Sequence, residues 1–302
     1  MTRTYASPLA FKTAVERRLN NDASASGMNL NRRRQLFVFD RFLARVFNFL
    51  EDAVVLKGGM VIELRLQRAR TTRDIDLRMV GNPDAVLADL QAAGRLELGE
   101  YLAFKVQADP RHPEIEAEGM TYQGLRFKAQ GQLAGKPYSA PFGIDVAFGE
   151  PLCGLPEEIE GSPFLQFAGI EPARFRIYPV ATHIAEKLHA YTLPRRRPNS
   201  RVKDLPDIAL LATAGDIESV TLRQTIERTF EHRATHPVPE AVPDPPGTWG
   251  PVYERIAKND GLNWKTLGDV TQAVQDFLNP ALAGESLTWK ADEYAWSPSE
   301  AE

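Results

Sequence analysis

The chain has 302 residues, room for about two domains and for a core that needs neither disulfides nor a structural metal. Its 43% hydrophobic and 25% charged residues are an ordinary globular composition, and a single cysteine, Cys153, excludes a disulfide framework or a cysteine-built zinc site and fits a reducing, cytoplasmic setting. A net charge of −4 excludes a surface coated in basic charge, and no apolar run approaches the ~20 residues of a membrane span, so no membrane partner is expected.

Ser7-Pro8 followed by Leu9, Phe11, Val15 and Leu19 reads as a capped helix start rather than a targeting segment. After the polar break Asn20 to Gly27, a second helix is predicted from about Leu30 to Leu50. Leu36, Phe39, Leu43, Val46 and Leu50 fall on one apolar stripe. Arg34, Arg41, Arg45 and Asn48 fall on another face, either solvated or forming a wall of a substrate cleft. Ala53 to Lys57 is β-prone and ends at Gly58-Gly59. A helix over Met60 to Leu66, a strand over Thr71 to Val80 and a helix over Asp84 to Gly94 follow. Leu96 to Phe148 reads as strands and turns.

Beyond Pro179 the pattern turns helical. Helices are predicted over Ala181 to Tyr191, Leu205 to Ala214, Thr221 to Arg233, Pro251 to Asn259 and Leu267 to Leu278. Thr235 to Gly250 carries five prolines and reads as an extended linker or loop, and the tail after Ala291 is acidic. Between His183 and Asp204 stand six basic residues (Lys187, Arg195, Arg196, Arg197, Arg201 and Lys203) against two acids. That local excess is a footprint for nucleotide or RNA phosphates, with a solvated basic loop as the alternative. Asp204 reads as an N-cap, with Pro206 and Asp207 in the first turn. His183 and His189 read as helix-surface or core partners, and Cys153 as inert.

The chemistry concentrates in the carboxylates. On a strand, Asp74 and Asp76 point to one side while Ile75 and Leu77 point into the core. Asp145 stands among Ile144, Val146 and Phe148 on the polar face of a second strand. Acids held this close repel one another, and a divalent cation removes the conflict. Mg²⁺, or Mn²⁺ in its place, shares such oxygen ligands with phosphate and water. Three acids on one sheet face can hold two metals for an in-line displacement at phosphorus, so Asp74, Asp76 and Asp145 are the expected metal ligands. Gly58-Gly59, opening a helix about fifteen residues earlier, lets backbone approach a phosphate. Taken alone, either signal is weak; their succession is more specific.

These residues resemble the polymerase-β-like nucleotidyltransferase superfamily, and within it the AbiEii/AbiGii toxin family, relatives of the MenT-like tRNA-modifying toxins. The similarity rests on Val55 to Met60, Arg70 to Leu77, Ile144 to Glu150, Ala185 to Ala190 and Asn199 to Ile208, and runs loosely over nearly the whole chain. The resemblance implies an α+β fold, with a small mixed β-sheet nucleotidyltransferase core, flanking helices and a helical C-terminal half. In this reading residues 1–50 are N-terminal helices packing on the core, 51–180 the core and 181–302 the helical domain. It implies a Mg²⁺-dependent toxin of a toxin–antitoxin or phage-defence pair, with a cognate antitoxin, that moves a nucleotide from a nucleoside triphosphate to the 3′ end of tRNA. Lys187 would contact triphosphate, and Asp207 would complete the last motif, holding Lys187 or Arg201. The expected catalytic set is Asp74, Asp76, Asp145, Lys187 and Asp207. The nucleotide-binding set is Lys57, Gly58, Gly59, Arg73, Lys187, Arg201 and Lys203, and the RNA-binding set is Arg195, Arg196 and Arg197. Met60 departs from the many relatives with Ser or Thr after the two glycines, so phosphate must rely on backbone N–H groups and cationic side chains. A non-catalytic nucleotide- or RNA-binding protein, and a protein or small-molecule acceptor in place of tRNA, remain open on sequence alone.

Overall fold

A computed structural model describes residues 5–66, 72–115, 124–195 and 201–299. Helix α1 (Pro8–Ser26) starts where the Ser7 hydroxyl accepts the Ala10 N–H at 3.1 Å and stops at Gly27, whose φ of +68° suits a residue without a Cβ. Helix α2 (Leu30–Leu50) is buried at every position from Phe37 to Phe47. An apolar stripe on one face is therefore only half of its story: over that stretch the helix is enclosed all round.

That enclosure corrects the basic-face reading of α2 at Arg41 and Arg45, while Arg34 stays partly exposed and Asn48 exposed. Arg41 and Arg45 are neither solvated nor at a substrate cleft; they are 3% and 0% exposed. Both pair with buried Glu100, Arg41 through Nε at 2.7 Å, and Arg41 also reaches Asp40 at 3.3 Å. Arg45 further donates to the carbonyls of Leu96 at 3.0 Å and Leu102 at 2.5 Å. Asp40 accepts the Ser162 N–H at 2.7 Å. Buried charges survive only when paired and hydrogen-bonded, and this cluster ties α2 to two connections that cross it.

Strand β1 (Val54–Lys57), helix α3 (Gly59–Leu66), strand β2 (Asp74–Met79) and helix α4 (Val86–Arg95) come next. The strand predicted from Thr71 begins at Asp74, and Thr71 lies outside the described residues. Then follow β3 (Leu102–Ala108), β4 (Gly124–Leu133), β5 (Lys136–Pro137), β6 (Phe142–Phe148), β7 (Glu157–Glu160) and β8 (Arg174–Ile177). The sheet runs β3-β4-β6-β2-β1-β8-β7, with β5 paired to β4. It is mixed: β2–β6 and β1–β8 are parallel, the other pairs antiparallel. The α+β class read from the sequence is the class observed. One hydrophobic cluster joins α1, α2 and the sheet, through residues such as Phe11, Phe42, Leu56, Ile75 and Ile144.

A second cluster gathers α5 (Val180–Thr192), α6 (Asp204–Leu211), α7 (Ser219–Arg233), α8 (Gly250–Asp260) and α9 (Leu267–Ala283). The N-cap position of α6 belongs to Lys203, not to Asp204 as read from the sequence; Asp204 is in the first turn and faces a lysine instead. The proline-rich stretch before α8 is not a free linker either. Val242 and Trp249 are buried in the second cluster, and the Tyr191 hydroxyl donates to the Pro243 carbonyl at 2.6 Å. The acidic tail hides structure as well: β10 (Leu287–Lys290) pairs with β11 (Ala295–Pro298) and with β9 (Ile217–Glu218). Trp289, 1% exposed, donates its indole N–H to the Ala212 carbonyl at 2.7 Å.

Candidate active site

Sheet register lays four charged residues in one row. Lys57 on β1 is opposite Asp76 on β2, Asp76 is opposite Asp145 on β6, and Asp145 is opposite Arg126 on β4. Asp74, two residues before Asp76, shares its face and pairs with Gly143. Both acids of β2 lie against glycines. A Cβ at Gly143 would come 2.4 Å from Asp74 Oδ1, and a Cβ at Gly58 would come 1.9 Å from Asp76 Oδ2. The Gly143 N–H donates to Asp74. Gly58 also has φ +69°, turning the chain from β1 into α3, so the start of that helix opens onto the acids.

Burial pushes the Asp76 carboxyl up to about 6, with the neighbouring Asp145 charge as the next cause. Asp74 is raised for the same two reasons in the same order. Lys57, the cation nearest in register, offsets this only in part, and its ammonium makes its direct ion pairs elsewhere. Its ammonium is ion-paired to buried Glu150 and, at 2.9 Å, to Glu186 on α5. Arg233 on α7 completes the group, 3.0 Å from Glu150 and 3.4 Å from Glu186. Lys57, expected as a phosphate ligand, thus stands at the cleft wall with its charge spent on two carboxylates.

Across the cleft, Lys187 on α5 lies 2.7 Å from Asp207 and 3.6 Å from Asp204. Lys187, one of the two partners for Asp207 read from the sequence, is ion-paired to it; the carboxylate is fully buried, so the lysine is held rather than swept by solvent. Arg73, Arg195, Arg201 and Lys203 line the same cleft, which measures about 600 Å³, within the range of small-molecule sites. Arg195 donates to the Ala190 carbonyl at 3.4 Å. Arg196 and Arg197 lie outside the described residues. Met60 is buried among the core residues, so the position after the two glycines offers the cleft only backbone.

The third acid departs from expectation. Both oxygens of Asp145 are bound by Arg126, Nε to Oδ1 and Nη2 to Oδ2, each at 2.7 Å. A planar guanidinium satisfies a carboxylate in this two-pronged way and neutralises it. Among the described residues, no three His, Cys, Asp or Glu side chains stand together as a metal cluster. Two carboxylates, however, are what Mg²⁺ asks of a protein when phosphate and water supply its other ligands. Asp74 and Asp76, hard oxygen donors crowded enough to repel, fit that need; Asp145 does not come free to join them. Arg126 went unassigned in the sequence because its role depends on a partner nineteen residues away and on register.

His183, 2% exposed at the cleft, has both ring nitrogens without a hydrogen-bond partner among the described residues, and burial keeps it neutral. His189 is bound to Thr235 at 2.8 Å and Arg233 at 3.2 Å, a core partner as read. Burial raises the Cys153 thiol, so it carries no thiolate.

Gly58→Ala tests the close approach. A left-handed φ costs an L-residue about 1–2 kcal/mol, and the new methyl must displace the Asp76 carboxylate. The expected result is a urea-unfolding stability lower by at least about 1 kcal/mol, together with weaker divalent-cation binding than that stability change alone would cause.

The sequence profile of the AbiEii nucleotidyl transferase toxins, of type IV toxin–antitoxin systems, matches residues 41–293. The chain belongs to this family. It is therefore a nucleotidyltransferase and a toxin of the type IV class, which implies a nucleoside triphosphate as substrate and an antitoxin as counterpart. Among solved structures it is similar to MenT4, a nucleotidyltransferase toxin from Mycobacterium tuberculosis H37Rv. That match has 18% identity and a TM-score of 0.50, covering 72% of this chain and 70% of that one. It is also similar to JHP933 from Helicobacter pylori, at 13% identity and a TM-score of 0.46, covering 81% of this chain and 93% of that one. No curated protein sequence matches it. Among the described residues, no helix of this AbiEii toxin is long and apolar enough to cross a membrane.

Proposed function

We propose that this AbiEii toxin is a Mg²⁺-dependent enzyme that transfers a nucleoside monophosphate from a triphosphate to the 3′ end of tRNA in the cytoplasm, which would block translation and could serve phage defence. The observation carrying this reading is the Asp74–Asp76 pair, set on one face of a central strand and facing Lys187 across a cleft of nucleotide size. Asp74 and Asp76 would hold the cation, with Mn²⁺ as a substitute. The bound ion would supply Lewis-acid stabilisation of charge at the α-phosphate.

The protein's own groups do the rest. Lys187, anchored by Asp207, presents a fixed positive charge to the triphosphate. Arg73, Arg201 and Lys203 at the mouth add charge for phosphates, and the first turn of α3, entered through Gly58-Gly59, supplies backbone N–H groups where Met60 has no hydroxyl. Lys57, Glu150, Glu186 and Arg233 act behind them as a scaffold. The acceptor has a way in: a groove of about 1370 Å³ adjoins the cleft at Arg73 and carries Lys12, Arg32, Arg34 and Lys258. Such cations suit an RNA backbone, although Glu16 and Glu63 already hold two of them. Arg195, with Arg196 and Arg197 beyond it in sequence, is assigned to the same acceptor.

Incubation with total tRNA, each α-labelled triphosphate and Mg²⁺ should give labelled tRNA with one preferred base. Removal of its 3′-terminal hydroxyl by periodate should abolish labelling. Folded protein that labels a protein or small molecule but never RNA would redirect the acceptor assignment, and folded protein that labels nothing would end it.

A further inference from the structure

We propose that Arg126 takes the place of a second divalent cation, so that this site loads one metal ion where three acids on a sheet face could have loaded two. The inference rests on the nucleotide-transfer reading above and concerns how the same site is charged.

Three observations carry it. First, the Arg126–Asp145 pair is built into the sheet: the two residues are register partners across β4 and β6, which sets their side chains side by side. The Arg126 backbone is itself pinned, its N–H donating to the Pro113 carbonyl at 2.7 Å and its carbonyl accepting the Asp109 N–H at 2.9 Å. Second, both oxygens of Asp145 are used at 2.7 Å, so a metal could recruit this acid only by sharing an oxygen with a guanidinium or expelling it. Third, the charges balance for one ion. On this sheet face Asp74, Asp76, Asp145 and Arg126 together carry two negative charges, Lys57 being paired to Glu150 and Glu186 and Lys187 to Asp204 and Asp207. One divalent cation cancels them. A second, about 3.5–4 Å from the first as in two-metal sites, would sit against the guanidinium and be repelled by it.

Counting bound metal tests this. Equilibrium dialysis with Mn²⁺ and an α,β-methylene triphosphate analogue should give one Mn²⁺ per bound analogue in the wild type. Arg126→Met, which keeps the stem and removes the charge, should give two, and Arg126→Lys should stay at one. Arg126→Met combined with Asp145→Asn should return to one. The analogue's own absorbance reports nucleotide binding and the labelled-tRNA assay reports transfer, so a failure of the nucleotide-transfer reading is seen separately. Dialysis against Mn²⁺ alone keeps the ion count readable in that event, with one site in the wild type and a second only in Arg126→Met. Two ions in the wild type under either condition, or a count of one in folded Arg126→Met, would overturn the proposal.

Discussion

Asp76→Asn is expected to cut nucleotide transfer by at least about 10²-fold, the scale on which losing one preset electrostatic stabiliser is felt, while leaving thermal stability unchanged or raised. The two readouts part company for a physical reason. The folded carboxyl is pushed up to about 6, above its ordinary value of 3.8, because burial and Asp145 disfavour its charge. A carboxyl raised on folding makes the native state less stable as pH climbs from the lower value to the higher, and at pH 8 the full penalty is present. An amide carries no such penalty. Paired measurements of transfer rate and melting temperature at pH 8 decide the matter. A variant that loses activity because it unfolds would sink the assignment of Asp76 as a ligand, as would one that keeps near-normal activity. This is the pattern of a site that spends stability on function.

The opposite pattern is expected at Glu100. Glu100→Ala should lower unfolding free energy by about 3–5 kcal/mol, because it leaves Arg45 and Arg41 buried without their shared partner. Removing Glu16, which holds the half-exposed Arg34, should cost much less, nearer the ~1 kcal/mol of partly solvated pairs. The double replacement Arg45→Met with Glu100→Leu should recover part of the loss, since apolar groups of similar volume often substitute for a buried pair, while Arg41 keeps only Asp40. Urea denaturation of the four proteins measures all of this. An effect at Glu100 no larger than at Glu16 would mean that the cluster is solvated in solution.

What the sequence disclosed was local. Alternation along Asp74-Ile75-Asp76-Leu77 needs only the two-residue period of a strand, and Gly58-Gly59 before a helix is adjacent chain, so the placement of acids beside a phosphate-sized turn could be read directly. The Lys187-to-Asp207 contact needed two helices seen side by side. Arg126 was missed because β4 meets β6 through non-local pairing, and a one-residue shift would have turned it away from Asp145. Arg41 and Arg45 were misread because helical periodicity assigns arginine to water, and nothing local announces Glu100 more than fifty residues on. The short strands β9, β10 and β11 escaped because two to four residues carry too little pattern, and acidic neighbours masked a buried tryptophan.

The knot of Lys57, Glu150, Glu186 and Arg233 has a bearing on ancestry. It draws one side chain from β1, one from the chain beyond β6, and one each from α5 and α7, so it bridges the two apolar clusters with opposite charges. A recombination event that swapped the helical half between distant cousins would take Glu186 from Lys57 and Arg233 from Glu150 at one stroke. The two halves are thus bound to change together, and divergence in what this toxin attacks has freer play at the rim of the cleft than across that seam.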